Sequence, residues 1–230
     1  MKNLVLYVTF GYPTKQKFFE ILDTVEKFNV GYVELGIPVF DPYLDGTTVK
    51  ESQAKVLSDL STEKIASMLS EIRERYSFKI ILMTYSKGVE QFNLRRLSKN
   101  LYDALLCVDK VLDRRDFSGF VHIFNHTMSK AEIDSKLSQS AQFIYLVSGE
   151  GKTGEFAHLP SEYTELLPYV KKNTALPVFV GFGVKSPEDI LSILKNGADG
   201  AIIGSEFINR YNKEGITGIE SYLSEIQTAY

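Results

Sequence analysis

The chain has 230 residues, 44% of them apolar, and a formal net charge of −3 with acidic and basic side chains interspersed. That length can bury the core of one large α/β barrel or of two small domains, and the mixed charge leaves no footprint for nucleic acid. A single cysteine, Cys107, excludes an intrachain disulfide and suits a reducing cytoplasm, while no apolar run is long enough to cross a bilayer and MKNLVLYVTFGYP has no small-residue cleavage site.

Eight β-type runs follow one another, at residues 4–9, 32–35, 79–83, 104–108, 121–124, 143–147, 178–180 and 201–203. Apolar residues near a period of 3.6 predict helices over 15–28, 62–75, 89–99, 129–137, 161–172, 187–196 and 216–228. Only DKVLDRRDFSG, after the fourth run, supports no more than one or two turns. Ser186-Pro187-Glu188 is a helix start, with serine as cap and proline in the first turn, and Asn196-Gly197 is the matching stop. No linker or low-complexity tract interrupts the series, so the expectation is a single catalytic domain over 1–230, an α/β fold of the (β/α)8 TIM-barrel type. The alternative is a doubly wound open sheet, but the first strand–helix turn, FGYPTK, lacks G-x-G-x-x-G.

Two carboxylates stand out in VELGIPVFDPYLDG. Glu34 lies between Val33 and Leu35 in an apolar strand, and side chains alternate faces, so Glu34 points into the barrel if its neighbours point out. An unpaired carboxylate there is costly, which marks function unless a basic neighbour holds it at the sheet end. Asp45 follows eleven residues later in a proline-broken loop. Reactive groups of such barrels sit at the C-terminal ends of strands and on the loops that follow. Gly181-Phe182-Gly183-Val184 and Gly204-Ser205, after the last two runs, are placed to hold an anion on backbone N–H groups at helix starts. The competing account is that these glycines only make tight turns, and that Gly149 to Gly154 after the sixth run is an ordinary loop rather than a lid.

At this point the sequence resembles the tryptophan synthase alpha subunit family, the indole-3-glycerol-phosphate lyases. ELGIPVFDPYLDGTTV is similar to the family's signature around its two acids, and VTFGYP, ILMTYS, YLVSGEGKTG, PVFVGFGVKSPED and GADGAIIGS match in order along the chain. The resemblance implies retro-aldol cleavage of indole-3-glycerol phosphate without metal or organic cofactor. By position, Glu34 matches the principal acid/base and Asp45 the second carboxylate. Tyr145 matches a tyrosine packed beside the acid, and Thr153 a lid threonine. Gly154, Gly183, Gly204 and Ser205 match phosphate contacts, and Tyr7, Leu82, Leu106, Val108, Val147, Phe182 and Ile202 fall at indole-pocket positions. Without the resemblance, most of that apolar group reads as barrel core. It further implies a pyridoxal-phosphate-dependent beta subunit as partner, the cofactor belonging to that partner alone.

The chemistry asks for opposite protonation states. Burial is expected to raise the pKa of Glu34, while a polar, partly hydrated loop spares Asp45. His122, His126 and His158 match no catalytic position and have no metal-ligand spacing. The chain departs from the family in four places, one of them the TYSKGV end of strand three, which lacks the usual asparagine. It lacks the usual helix before strand one, so the barrel floor is either closed by other side chains or left open. The lid reads SGEGKTG without an arginine, and the segment after strand four lacks a proline-containing partner loop. These departures weaken the expectation of a tight complex. A thiamin-phosphate-synthase-like barrel and a non-catalytic regulatory barrel are the competing readings.

Overall fold

The computed structural model describes residues 1–149, 151 and 158–230. Its strands are β1 (Leu4–Thr9), β2 (Tyr32–Gly36), β3 (Lys79–Thr84), β4 (Ala104–Cys107), β5 (Ile123–Phe124), β6 (Ile144–Val147), β7 (Val178–Gly181) and β8 (Gly200–Ile203). All pairings are parallel, in the order β4-β3-β2-β1-β8-β7-β6-β5. The two ends of this ladder meet at the bridge between Leu105 and Phe120, just ahead of β5, where the Leu105 N–H donates to the Gly119 carbonyl at 2.9 Å and the Val121 N–H to the Leu105 carbonyl at 3.0 Å. The sheet therefore curls into a nearly closed (β/α)8 barrel, not an open doubly wound sheet. β1 is the first of these elements in chain order.

The helices are α1 (Lys15–Lys27), α2 (Thr47–Val56), α3 (Thr62–Arg75), α4 (Ser86–Gln91), α5 (Lys130–Leu137), α6 (Tyr163–Asn173), α7 (Pro187–Lys195) and α8 (Ser205–Gln227). Three differ from the sequence reading for identifiable reasons. The 89–99 helix is α4 instead, because Asn93 adopts a left-handed conformation (φ 48°) and the apolar spacing continues through a 3-10 turn, Leu94–Arg96. α8 begins at Ser205, eleven residues before the predicted start, and Gly215 (φ 63°) breaks it near the expected boundary. α2 was not anticipated at all. Its buried face includes Ser52 and Gln53 beside Val49 and Val56, so a hydrophobic period cannot reveal it.

Strand alternation divides the core in two. Leu4, Leu6, Val33, Leu35, Ile80, Leu82, Ile144, Leu146, Val178, Val180, Ala201 and Ile203 pack outward under the helices. Val5, Ile81, Ala104, Leu106, Phe143, Tyr145, Val147, Phe179 and Ile202 fill the interior. At the N-terminal ends of the strands Tyr32, Phe143 and Phe179 meet ring to ring, with centroids 5.1–5.3 Å apart. These three rings close the floor that the sequence left to unspecified side chains. Phe143→Ala should destabilise the fold by about 3–5 kcal/mol, read as a fall in the denaturant midpoint at unchanged slope.

Candidate active site

Glu34 is delivered to the barrel interior by the same alternation. It stands between outward Val33 and Leu35, pairs across to Tyr7 of β1 and Ile81 of β3, and is only 1% exposed. Its Oε1 is buried without a hydrogen-bond partner among the described residues. Among the described residues no basic side chain pairs with the carboxyl at the sheet end, which leaves the alternative structural account of Glu34 without support. Burial, helped by the charge of Asp45, pushes its pKa up to about 8. A carboxyl in that state carries its proton at neutral pH.

Asp45 arrives from the loop after β2, where its N–H donates to the Pro42 carbonyl at 3.0 Å. The expectation of a hydrated aspartate is overturned: Asp45 is 4% exposed, and burial pushes its pKa up to about 6. What restrains the rise is a hydrogen bond of 2.9 Å from the Tyr85 hydroxyl to Oδ2, together with the charge of Lys50. Tyr85 is itself held by the Leu44 N–H, which donates to its hydroxyl at 3.1 Å. The order of ionisation survives, since Asp45 loses its proton before Glu34. Removing the Tyr85 hydroxyl takes away a stabilising donor to the anion. Tyr85→Phe should therefore move the acid limb of the pH–rate profile upward from about 6 while leaving the alkaline limb in place.

A polar layer from α2 supports the two acids. Gln53 Nε2 donates to the Tyr7 hydroxyl at 3.3 Å while its Oε1 accepts from the Val39 N–H at 3.0 Å. Thr9 and Ser52 hydroxyls lie 2.6 Å apart, and Ser52 donates to the Val49 carbonyl. These bonds explain why the buried face of α2 is polar. The Tyr7 ring lies directly against Gly36, where any Cβ would collide with it.

Above these groups opens a cleft lined by Tyr7, Glu34, Asp45, Tyr145, Phe182, Gly183, Ile202, Gly204 and Ser205 among the residues anticipated. Val49, Met83, Val184 and Lys185 also line it and were missed. Leu82 is a correction. It faces outward beneath the helices, and the inward neighbour Met83 takes its place, because a shift of one residue along a strand reverses the face. Leu106, Val108 and Val147 belong to the interior cluster rather than to the cleft wall. Thr153 and Gly154 lie outside the described residues. His122 is buried, its Nδ1 3.1 Å from the Ser140 hydroxyl, and burial lowers its pKa to about 4. Burial and Asp109 push the Cys107 thiol up to about 12, so it is no nucleophile.

One end of the cleft is formed by the turns after β7 and β8 and the helix starts that follow them. After β7 the chain turns through Phe182 and Gly183, both with positive φ (74° and 72°), and the Ser148 hydroxyl donates to the Phe182 carbonyl at 2.6 Å. For phenylalanine that conformation is strained by about 1–3 kcal/mol, a feature that gathers at functional sites. The two nearby helix starts then differ. α7 is closed by its own capping box, Ser186 with Asp189, whereas α8 has glycine at its cap and no side-chain bond there. Gly204 and Ser205, at its start, line the cleft, and a helix start carries roughly half a positive charge.

Comparison with known proteins agrees with this geometry. The family model described as tryptophan synthase alpha chain matches residues 1–229. The chain belongs to the tryptophan synthase alpha chain family. Among curated members, the alpha chain of Archaeoglobus fulgidus is 30% identical over 227 residues, covering 93% of this chain and 91% of the relative. That of Caldicellulosiruptor saccharolyticus is 30% identical over 241 aligned residues, covering 99% and 93%. A solved chain of the tryptophan synthase α2β2 complex from Pyrococcus furiosus superposes with a TM-score of 0.85 at 27% identity, covering 99% of this chain and 98% of the other. The matched range spans both carboxylates and the turns after β7 and β8.

Proposed function

We propose that the cleft cleaves indole-3-glycerol phosphate to indole and glyceraldehyde 3-phosphate, the alpha reaction of tryptophan synthase in tryptophan biosynthesis. The observation that carries this reading is a buried carboxyl with an unpartnered oxygen beside a second, more acidic carboxylate, in an apolar cleft ending at an anion cradle. Tyr7, Met83, Tyr145, Phe182 and Ile202 supply a flat apolar surface for the indole.

Glu34 gives its proton to C3 of the indole, which turns the ring into a cationic indolenine. Asp45, ionised, accepts a hydrogen bond from the ring N–H and stabilises that cation. The Glu34 carboxylate then takes the proton of the glycerol hydroxyl nearest the ring. The bond between C3 and that carbon breaks, its electron pair returns to the ring, and the oxygen becomes the aldehyde carbonyl. Glu34 ends the cycle protonated, as it began. Gly183, Gly204 and Ser205 hold the phosphate. Thr153 and Gly154 are assigned to Asp45 and the phosphate by resemblance alone.

The solved relative from Pyrococcus furiosus is an α2β2 complex. By analogy this chain passes indole to a beta subunit that holds pyridoxal phosphate. Phe40, 90% exposed after β2, and Val111, exposed after β4, offer apolar surface at the mouth of the barrel for that partner. The lone cysteine and the family's biosynthetic role fit the cytoplasm. The test is to incubate the purified chain with indole-3-glycerol phosphate, with and without EDTA. Indole and glyceraldehyde 3-phosphate in equal amounts, unaffected by chelator, are expected; no indole, alone or with added beta chain, would overturn the reading.

A further inference from the structure

Among the described residues lining the cleft, Lys185 is the one with a basic side chain, and the chemistry above gives it no role. It is half-buried between Val184, also in the cleft wall, and the α7 cap Ser186. Its backbone is fixed on both sides. The N–H donates to Asp189 Oδ2 at 2.8 Å, and the carbonyl accepts from the Tyr222 hydroxyl of α8 at 2.9 Å. Asp189 is the acid that closes the α7 capping box, and Tyr222 is fully buried. The base of the side chain is thus anchored two residues beyond Gly183, and the residue lines the same cleft.

The charge balance of the cleft asks for a cation at that end. A phosphate monoester carries about 1.5–2 negative charges at neutral pH. Asp45 is already an anion in the same cleft, and Glu206 in the first turn of α8 adds another acid, partly offset by Arg210 Nε at 2.6 Å. Against these, a helix end offers roughly half a positive charge. Backbone N–H groups satisfy the oxygens of the phosphate but leave most of its charge unbalanced in a partly dehydrated space.

We infer that Lys185 is a specificity residue of the lyase site, its ammonium binding the substrate phosphate and selecting phosphorylated over unphosphorylated indole-glycerol. The inference rests on the proposed lyase reading, and it extends that reading to a residue whose position in KSPED looks like nothing more than the approach to a helix. Lys185 acts in binding, not in proton transfer. Its removal should therefore raise KM more than it lowers kcat.

The experiment compares the intact chain with Lys185→Met, which keeps the stem without the charge, Lys185→Gln as a second neutral variant, and Lys185→Arg. Steady-state cleavage of indole-3-glycerol phosphate is read beside calorimetric titration with glycerol 3-phosphate, which needs no turnover. Both neutral variants should raise KM roughly 10- to 50-fold with kcat changed less than about threefold, and Lys185→Arg should recover most of the loss. Glycerol 3-phosphate binding should weaken in parallel and lose part of its salt dependence. A folded neutral variant whose KM and glycerol 3-phosphate affinity both stay within about twofold of the intact chain would overturn the inference and leave the lyase reading standing. If the intact chain makes no indole yet binds glycerol 3-phosphate through Lys185, the lyase reading fails and the phosphate role of Lys185 survives. Should it bind no glycerol 3-phosphate at all, the inference fails outright.

Discussion

Glu34→Gln should reduce kcat for indole-3-glycerol phosphate by about 10³-fold or more, while substrate affinity stays within a few-fold. Glutamine fills the same space but has no proton to give to C3 and cannot take one from the glycerol hydroxyl, and positioned acid–base catalysis is typically worth about 10²–10⁴-fold at each such step. Stability should move the opposite way. The Glu34 carboxyl holds its proton up to about pH 8 in the fold, against an ordinary value of 4.5. Between those two pH values the folded chain binds more protons than the unfolded one, so this group makes stability fall as pH rises through that window. Above it, the folded chain carries a buried anion at a penalty on the order of 5 kcal/mol. Glutamine lacks that penalty. The variant should thus denature at higher urea than the parent at alkaline pH, with the difference disappearing below the ordinary glutamate range. Urea titrations at acidic and alkaline pH read both limbs, and equal midpoints throughout would contradict the buried state of Glu34.

Asp45→Asn should lower kcat by about 10²–10³-fold, because a neutral amide cannot balance the positive charge that develops on the indole ring. The hydrogen bond from Tyr85 can be kept by the asparagine carbonyl, so the loop should hold its shape. Two features separate this variant from a collapsed site. Titration with indole should give nearly unchanged affinity, and the acid limb of kcat/KM near pH 6 should vanish. The alkaline limb should shift down, since the charge of Asp45 is one of the two causes that raise Glu34. A variant with normal kcat, or with an intact acid limb, would remove Asp45 from the mechanism.

The barrel and its acid were legible because strand physics is simple. Alternation alone put Glu34 inside once Val33 and Leu35 were assigned outward, and those neighbours do pack under the helices. The glycine turns after β7 and β8 announced themselves, because positive φ at Gly183 and a helix start without a side-chain cap need small residues. What was hidden depended on contacts distant in sequence. α2 turns a partly polar face inward, since Ser52 and Gln53 serve Thr9 and Tyr7, and no hydrophobic period can report that. Asp45 looked hydrated in its proline-broken loop, but Tyr85, forty residues further on, covers it. Leu82 and Met83 show the limit of carrying positions from a family: an offset of one residue along β3 exchanges the barrel wall for the helix layer. Lys185 was concealed for another reason. The capping signal that follows it accounts for the local sequence so well that its side chain drew no notice.

The central claim is that one buried carboxyl stays protonated at neutral pH while its neighbour is ionised. Carbon NMR of the chain labelled at glutamate and aspartate carboxyls, titrated across the acidic to alkaline range, reads this directly, with Glu34→Gln and Asp45→Asn assigning the two resonances. The account predicts a glutamate signal that titrates near pH 8 and is missing from the first variant, and an aspartate signal near pH 6 missing from the second. If every glutamate carboxyl is already ionised when Asp45 titrates, Glu34 has no proton to deliver and the account is wrong.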